Sequence, residues 1–131
     1  MNEHKNDIVR MWFKKADNDL KNIENNLASK DIPSDTICFH SQQAIEKYFK
    51  GALVYFEWEV SKTHDLVKIL TEVTSFIPEL SELEEPLEKI SEFAVEVRYP
   101  DSFYEPTLED AKGSYKFALR VRGIILNKIE I

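Results

Sequence analysis

Apolar residues recur every three to four positions along most of the chain, the spacing that places side chains on one face of an α-helix. The pattern predicts five helices, over about 7–28, 34–56, 63–73, 86–99 and 107–125. No alternating pattern long enough for a convincing strand appears. In the first helix, the positions expected to face inward are Ile8, Met11, Trp12, Ala16, Leu20, Ile23 and Leu27.

The residues at the helix starts support these boundaries. Ser34 and Thr63 are candidate N-cap residues, and Thr107 with Asp110 resembles a capping box. Short connections between amphipathic helices favour antiparallel neighbours. We therefore predict an all-α fold, an up-and-down antiparallel bundle of four to five helices. The chain has 131 residues, no internal repeat and only three glycines, so residues 1–131 are expected to form a single domain.

Charge and composition limit the kinds of binding partner and the cellular compartment that can be expected for this protein. The formal net charge of −7 argues against a broad nucleic-acid-binding surface, although a local basic groove remains compatible with it. The polar N-terminus and the absence of an apolar run of about 20 residues predict neither a signal peptide nor a membrane span. The lone Cys38 fits a small core residue in a reducing cytoplasm.

Two stripes of opposite charge lie on the predicted fourth and fifth helices. Each stripe repeats at four-residue steps, so each occupies one helix face. Both fit solvated faces, and together they would also suit self-association or a docking surface for another protein. The acidic stripe holds Glu84, Glu88, Glu92 and Glu96, and the basic stripe holds Lys112, Lys116 and Arg120.

Residues 40–66 carry the most specific pattern in the chain. QQAIEKYFKGALV at 42–54 is followed by THDL at 63–66 and later by EVRYPD at 96–101. With these motifs the chain resembles the HEPN domain family over roughly residues 12–125. The resemblance implies a small helical bundle that commonly dimerises and is often encoded beside a minimal nucleotidyltransferase, in two-part toxin–antitoxin-like systems. Many members are metal-independent ribonucleases, and others bind nucleotides or RNA or act as partner modules.

The ribonuclease signature of the family is an arginine and a histidine with four to six residues between them, and here it is incomplete. Arg98 stands at the place of the arginine, but the expected histidine positions hold Phe103, Tyr104 and Glu105. Histidine suits proton transfer near neutral pH because its pKa is about 6.5, whereas tyrosine and glutamate titrate far from neutrality. Phosphate binding by the Arg98 guanidinium would survive this change better than catalysis would.

The resemblance therefore predicts a nucleotide- or RNA-binding module rather than an enzyme, because the motif histidine is absent. We expect Arg98 to hold phosphate, with further nucleotide contacts from Asp101, Lys47, Lys50 and Gln43. No histidine has metal-ligand spacing, so neither a metal nor another cofactor is predicted.

Two alternatives remain open at this point. A divergent metal-independent ribonuclease could use Arg98 with His64 or Tyr104, and a purely structural interaction protein would need only the charged stripes. Against the first, Thr63, His64 and Asp65 also fit a simple capping arrangement.

Simple structural explanations also exist for two further features of the second helix. Glu46 and Lys50 fit a solvent-exposed ion pair, and His40 fits a partly buried histidine of the core. Gly51 either allows a close approach of another segment or loosens the helix.

Overall fold

The computed structural model describes residues 2–97 and 105–131, with side chains described for 3–92 and 105–131. Five α-helices follow one another, and within these ranges there is no β-strand, which confirms the all-α bundle. The helices are α1 (Asn2–Leu27), α2 (Ser34–Tyr55), α3 (Leu66–Thr74), α4 (Glu84–Val97) and α5 (Leu108–Lys128), and a 3₁₀ helix, Pro78–Leu83, precedes α4.

α1 directs a different face to the core than the sequence pattern predicted. Met11 is 59% exposed, and Ile8 and Trp12 are only half-buried. Val9 and Phe13 are buried in their place, one position along from the predicted residues. Ala16, Leu20 and Ile23 were predicted correctly. The helix therefore carries a second apolar stripe, which lies outside the main core.

α2 is the central helix and packs against α1, α3, α4 and α5. It runs antiparallel to α1, because Gly51 lies against Trp12 and Phe13, whereas Lys47, one turn earlier on α2, reaches Asp19, further along α1. A Cβ at Gly51 would stand 2.6 Å from a ring carbon of Phe13, so the glycine is needed for this close approach. The first of the two interpretations of Gly51 is thus the correct one.

α5 completes the core on another side of α2 and runs parallel to it. Ser114 near the start of α5 lies beside Cys38 near the start of α2, with 3.8 Å between the hydroxyl and the sulfur. Further along both helices, Tyr48 of α2 and Arg122 of α5 bind the same carboxylate, that of Asp17 on α1. The Arg122 Nε donates to Asp17 Oδ1 at 2.9 Å. Three helices are therefore joined at one side chain.

The helix ends confirm one predicted cap and correct two. Thr107 and Asp110 form the reciprocal capping box expected for α5. Ser34 is not an N-cap, because it is the first residue of α2 and Pro33 takes the cap position without a side-chain bond. Asp65, rather than Thr63, caps α3: its carboxylate accepts from the Lys68 amide at 3.3 Å.

A turn after α2 reverses the chain, so that the following loop runs back alongside α2. Glu57 adopts a φ of +60°, and the amides of Glu57 and Trp58 bond back to the carbonyls of Val54 and Leu53. This is a Schellman arrangement with glutamate at the position that usually holds glycine. The loop that follows carries His64 back to the level of Glu46.

The segment before α4 differs from the prediction of a helix that starts at Pro86. Pro78 opens the 3₁₀ helix, and Leu80 and Leu83 of that helix are buried in the core. α4 then begins at Glu84 and is tied to α2 by a buried contact, in which Gln42 Nε2 donates to the Ile90 carbonyl at 2.6 Å.

Candidate functional site

The predicted site residues divide into two groups. Arg98, Asp101 and Tyr104 lie outside the described residues. Gln43, Lys47 and Lys50 lie on α2, and His64 lies in the loop that returns along that helix. The geometry of the candidate site is therefore that of α2 and the segments packed beside it.

Glu46, Lys50 and His64 form the first polar group, which we term the Glu46 cluster. Lys50 Nζ donates to Glu46 Oε2 at 3.1 Å, and their side chains are only 7% and 8% exposed. The predicted solvent-exposed ion pair is therefore a buried one. Removing two charges from water is unfavourable unless each is well compensated, and here each charge compensates the other.

His64 adds a third, exposed member to this cluster. Its Nδ1 lies 3.0 and 3.1 Å from the two carboxylate oxygens of Glu46, while 77% of the side chain remains exposed. A carboxylate only accepts hydrogen bonds, so Nδ1 carries the proton that joins the two groups. Nε2 is consequently the nitrogen left for a ligand or a proton in solution. Asp65 caps α3, as the capping interpretation of residues 63–65 allows, and His64 makes the contact with Glu46 in addition.

Trp12 of α1 borders the Glu46 cluster. Lys50 Nζ lies 6.0 Å from the centre of the Trp12 ring, at the outer limit of a cation–π contact. The ring is half-buried and also lines a surface groove on α1. The sequence pattern predicted Trp12 in the core. Its position beside Lys50, one of the predicted nucleotide-binding residues, was therefore not predicted.

Asp19, His40 and Lys47 form the second polar group, the Asp19 cluster, on the α1–α2 seam. Lys47 Nζ lies 2.6 Å from Asp19 Oδ2, and His40 Nδ1 lies 2.9 Å from Asp19 Oδ1. The side chains of His40 and Lys47 are each 24% exposed. His40 also makes an edge contact with Phe39, so the prediction of a partly buried, satisfied histidine agrees with the structure.

The electrostatics of α2 thus differ from those of an open basic surface. Both predicted phosphate-binding lysines, Lys47 and Lys50, already have a carboxylate partner, and each carboxylate is shared with a histidine. Gln43 is half-buried, and its amide makes no hydrogen bond within the described ranges. The sequence motifs identified these positions of α2 as candidates, but they did not identify Asp19. α1 carries several acidic residues at helical spacing, and the sequence does not show which of them faces α2.

Within 2–97 and 105–131, no group of three or more His, Cys, Asp or Glu side chains is arranged to hold a metal ion. In the same part of the chain, no helix combines the length and apolar character needed to cross a bilayer.

Of the comparisons with known proteins, the one with family models gives a match. No curated protein and no solved structure matches the chain. The family model described as the HEPN domain matches residues 9–129, which includes most of α1, the returning loop with His64 and the whole of α2, α3, α4 and α5. The match spans nearly the whole chain and agrees with the all-α bundle and with the motifs at 42–54 and 63–66. The chain therefore belongs to the HEPN domain family.

Proposed function

We propose that this protein is a nucleotide- or RNA-binding HEPN module, with residues 1–131 forming a single domain. The observation that carries the proposal is the family match over residues 9–129. On the same family grounds we propose a cytoplasmic homodimer that partners a minimal nucleotidyltransferase in a two-component toxin–antitoxin-like system.

Arg98 is the proposed phosphate ligand, with Asp101 beside it in the same segment. Lys47 and Lys50 contribute little unpaired charge, because Asp19 and Glu46 hold them. Their proposed role is to keep the polar face of α2 ordered, while Gln43 offers an amide that can donate and accept. An arginine-centred site of this kind binds one or a few phosphates, which fits a protein of net charge −7 better than an extended basic tract would.

Binding of a labelled, short single-stranded RNA, followed by fluorescence anisotropy, tests this proposal. We expect Arg98→Ala to weaken binding about tenfold or more, as expected for one lost charge-assisted phosphate contact of about 1.5–3 kcal/mol. Lys112→Ala is the matched control, because Lys112 is an exposed cation on another helix, α5. Equal, negligible effects of both substitutions would contradict the placement at Arg98.

A second candidate function is supported by the contact between Glu46 and His64. The carboxylate at Nδ1 orients the imidazole and leaves Nε2 exposed, an arrangement that a general base requires. A divergent metal-independent ribonuclease would use Arg98 for the phosphate and His64 for proton transfer. Tyr104 is the other proposed proton carrier for that reaction.

Incubation of the purified protein with mixed RNA in EDTA separates the two functions. Cleavage that is lost in both Arg98→Ala and His64→Ala, but kept in His4→Ala, would support the ribonuclease. His4 serves as control because it is an exposed histidine at the start of α1. RNA that stays intact with the unmodified protein, while anisotropy detects binding, would support the binding module.

The proposed partner is tested by co-expression of the chain with the product of the neighbouring gene. Co-elution at a defined mass, together with RNA binding, would agree with the two-component system. A stable complex that binds no nucleotide or RNA would favour the purely structural interaction protein, for which the exposed acids of α4 and the exposed bases of α5 would be the docking surfaces.

A further inference from the structure

α1 presents a groove that the bundle does not fill. Ile8, Met11, Trp12 and Lys15 line a concavity of 220 Å³ on the outer side of the helix. Single exposed apolar residues are common on protein surfaces, but a methionine, a tryptophan ring and a lysine that share one concavity form a more specific feature. None of the four belongs to the buried core.

The charges around the groove favour an anionic ligand. Lys15 makes no ion pair with any described residue, whereas the nearby carboxylates of α1 are engaged. Asp7 pairs with Arg10 at 3.1 Å, and Asp19 is held by the Asp19 cluster. Lys50 lies near the Trp12 ring, but Glu46 compensates its charge. The groove therefore combines an aromatic ring with a cation that has no carboxylate partner among the described side chains.

We infer that this groove stacks one base of single-stranded RNA on Trp12 and Met11, with the adjacent phosphate held by Lys15. A ring system fits the size and apolar lining of the concavity, and stacking on an aromatic side chain is the usual way in which proteins hold an unpaired base. The inference rests on the proposed RNA-binding function and adds a second contact to it. Trp12 joins the two regions, because its ring lies beside Lys50 of α2.

Tryptophan fluorescence can report on the groove directly, because the chain has only Trp12 and Trp58. In a Trp58→Phe variant, the emission comes from Trp12 alone. We expect a short oligoadenylate to quench this emission in a saturable way, and an abasic oligonucleotide of the same length to leave it unchanged. In Trp12→Phe, where only Trp58 remains, the oligoadenylate should produce no quenching.

Affinity measurements on surface variants complete the test. Lys15→Ala should weaken oligoadenylate binding several-fold, and Lys14→Ala should not, since Lys14 is also exposed on α1 but does not line the groove. Met11→Ala should weaken binding as well, with unchanged helicity by circular dichroism. Trp12→Ala should lower the affinity by roughly 5- to 100-fold, the loss expected for one base–aromatic stack.

The outcomes distinguish this inference from the function on which it rests. Oligoadenylate that is retained in equilibrium dialysis, without a change in Trp12 emission or an effect of Lys15→Ala, would overturn the groove and leave the proposed function standing. Absence of any retained oligoadenylate would overturn the groove, and the anisotropy measurement with the labelled single-stranded RNA would then decide the proposed function separately. Unaltered RNA binding by Met11→Glu, together with a loss of self-association in light scattering, would show that the groove is a protein interface instead.

Discussion

The Glu46 cluster and the Asp19 cluster combine the same three kinds of side chain, an acid, a lysine and a histidine, but bury different members. Each has a carboxylate shared by one lysine and one histidine. In the Glu46 cluster the lysine and the acid are almost fully buried, and the histidine is 77% exposed. In the Asp19 cluster the acid is the most buried member, and the lysine and the histidine are both partly covered.

This difference leaves an exposed imidazole in the Glu46 cluster, whereas the Asp19 cluster joins two helices. In the Glu46 cluster, a buried charge pair holds an imidazole whose second nitrogen faces solvent. In the Asp19 cluster, the histidine packs against Phe39, and both bases point from α2 to an acid of α1. We therefore expect the first cluster to matter for both stability and function, and the second mainly for the α1–α2 contact.

The largest predicted effect follows from breaking the buried pair. Lys50→Met keeps a side chain of similar length but leaves Glu46 buried without its cation. Loss of one partner of a buried ion pair costs about 3–5 kcal/mol of unfolding free energy. Lys47→Met should cost less, about 1.5–3 kcal/mol for the loss of one hydrogen bond to a charged group, because the Lys47 side chain is 24% exposed and water can replace part of the lost contact. Urea unfolding of the two variants measures the difference.

A double variant shows whether the buried charge is the cause. Glu46→Gln combined with Lys50→Met removes both charges, so it should recover much of the stability that Lys50→Met loses. Equal losses in Lys50→Met and Lys47→Met would instead show that burial does not distinguish the two clusters.

A smaller effect is expected at Gly51, which sets the spacing of the helices that carry both clusters. In Gly51→Ala, the new Cβ meets the Phe13 ring, and overpacking of this kind costs about 1–3 kcal/mol. The better helix propensity of alanine returns up to about 1 kcal/mol, so a net loss of stability is expected. Gly113→Ala is the control, because a Cβ there meets nothing within 4 Å and the variant should become slightly more stable. Thermal unfolding of both variants measures this, and a stabilised Gly51→Ala would contradict the close approach.

The helices could be predicted from the sequence because their apolar periodicity extends over several turns. The inward face of α1 could not, since two apolar stripes one residue apart both have helical spacing. Val9 and Phe13 form one stripe, and Ile8 and Trp12 belong to the other. The packing of α1 against α2, which a local pattern does not contain, selects between them.

The candidate site was predictable to a similar extent. The motifs pointed to Lys50 and His64, but an i,i+4 pair such as Glu46 and Lys50 has the same spacing whether it is exposed or buried. The contact between His64 and Glu46 depends on the turn at Glu57, where a glutamate takes a conformation that usually signals glycine. Local sequence patterns do not contain these long-range contacts.

The smallest predicted effect concerns Asp17, which like Asp19 is a carboxylate of α1 bound from α2. It differs from Asp19 because its α2 partner, Tyr48, is neutral. Burial, and then the hydrogen bond to Asp17, raise the pKa of the Tyr48 hydroxyl far above its usual value. The folded protein therefore keeps this proton where the unfolded chain releases it, near pH 10. The stabilisation is complete below about pH 10 and is lost as the pH rises further, by about 1.4 kcal/mol per pH unit.

Tyr48→Phe should consequently be less stable than the unmodified protein by about 1 kcal/mol near pH 8, where a hydrogen bond is lost. Above about pH 10 the gap should narrow, because phenylalanine has no proton to release in the unfolded chain. Urea unfolding at several pH values measures the gap, and a gap that stays constant into the alkaline range would contradict the raised pKa. The Asp19 cluster offers the contrast: its α2 partners are a lysine and a histidine, so replacing Lys47 by Met should leave the tyrosine-dependent slope unchanged.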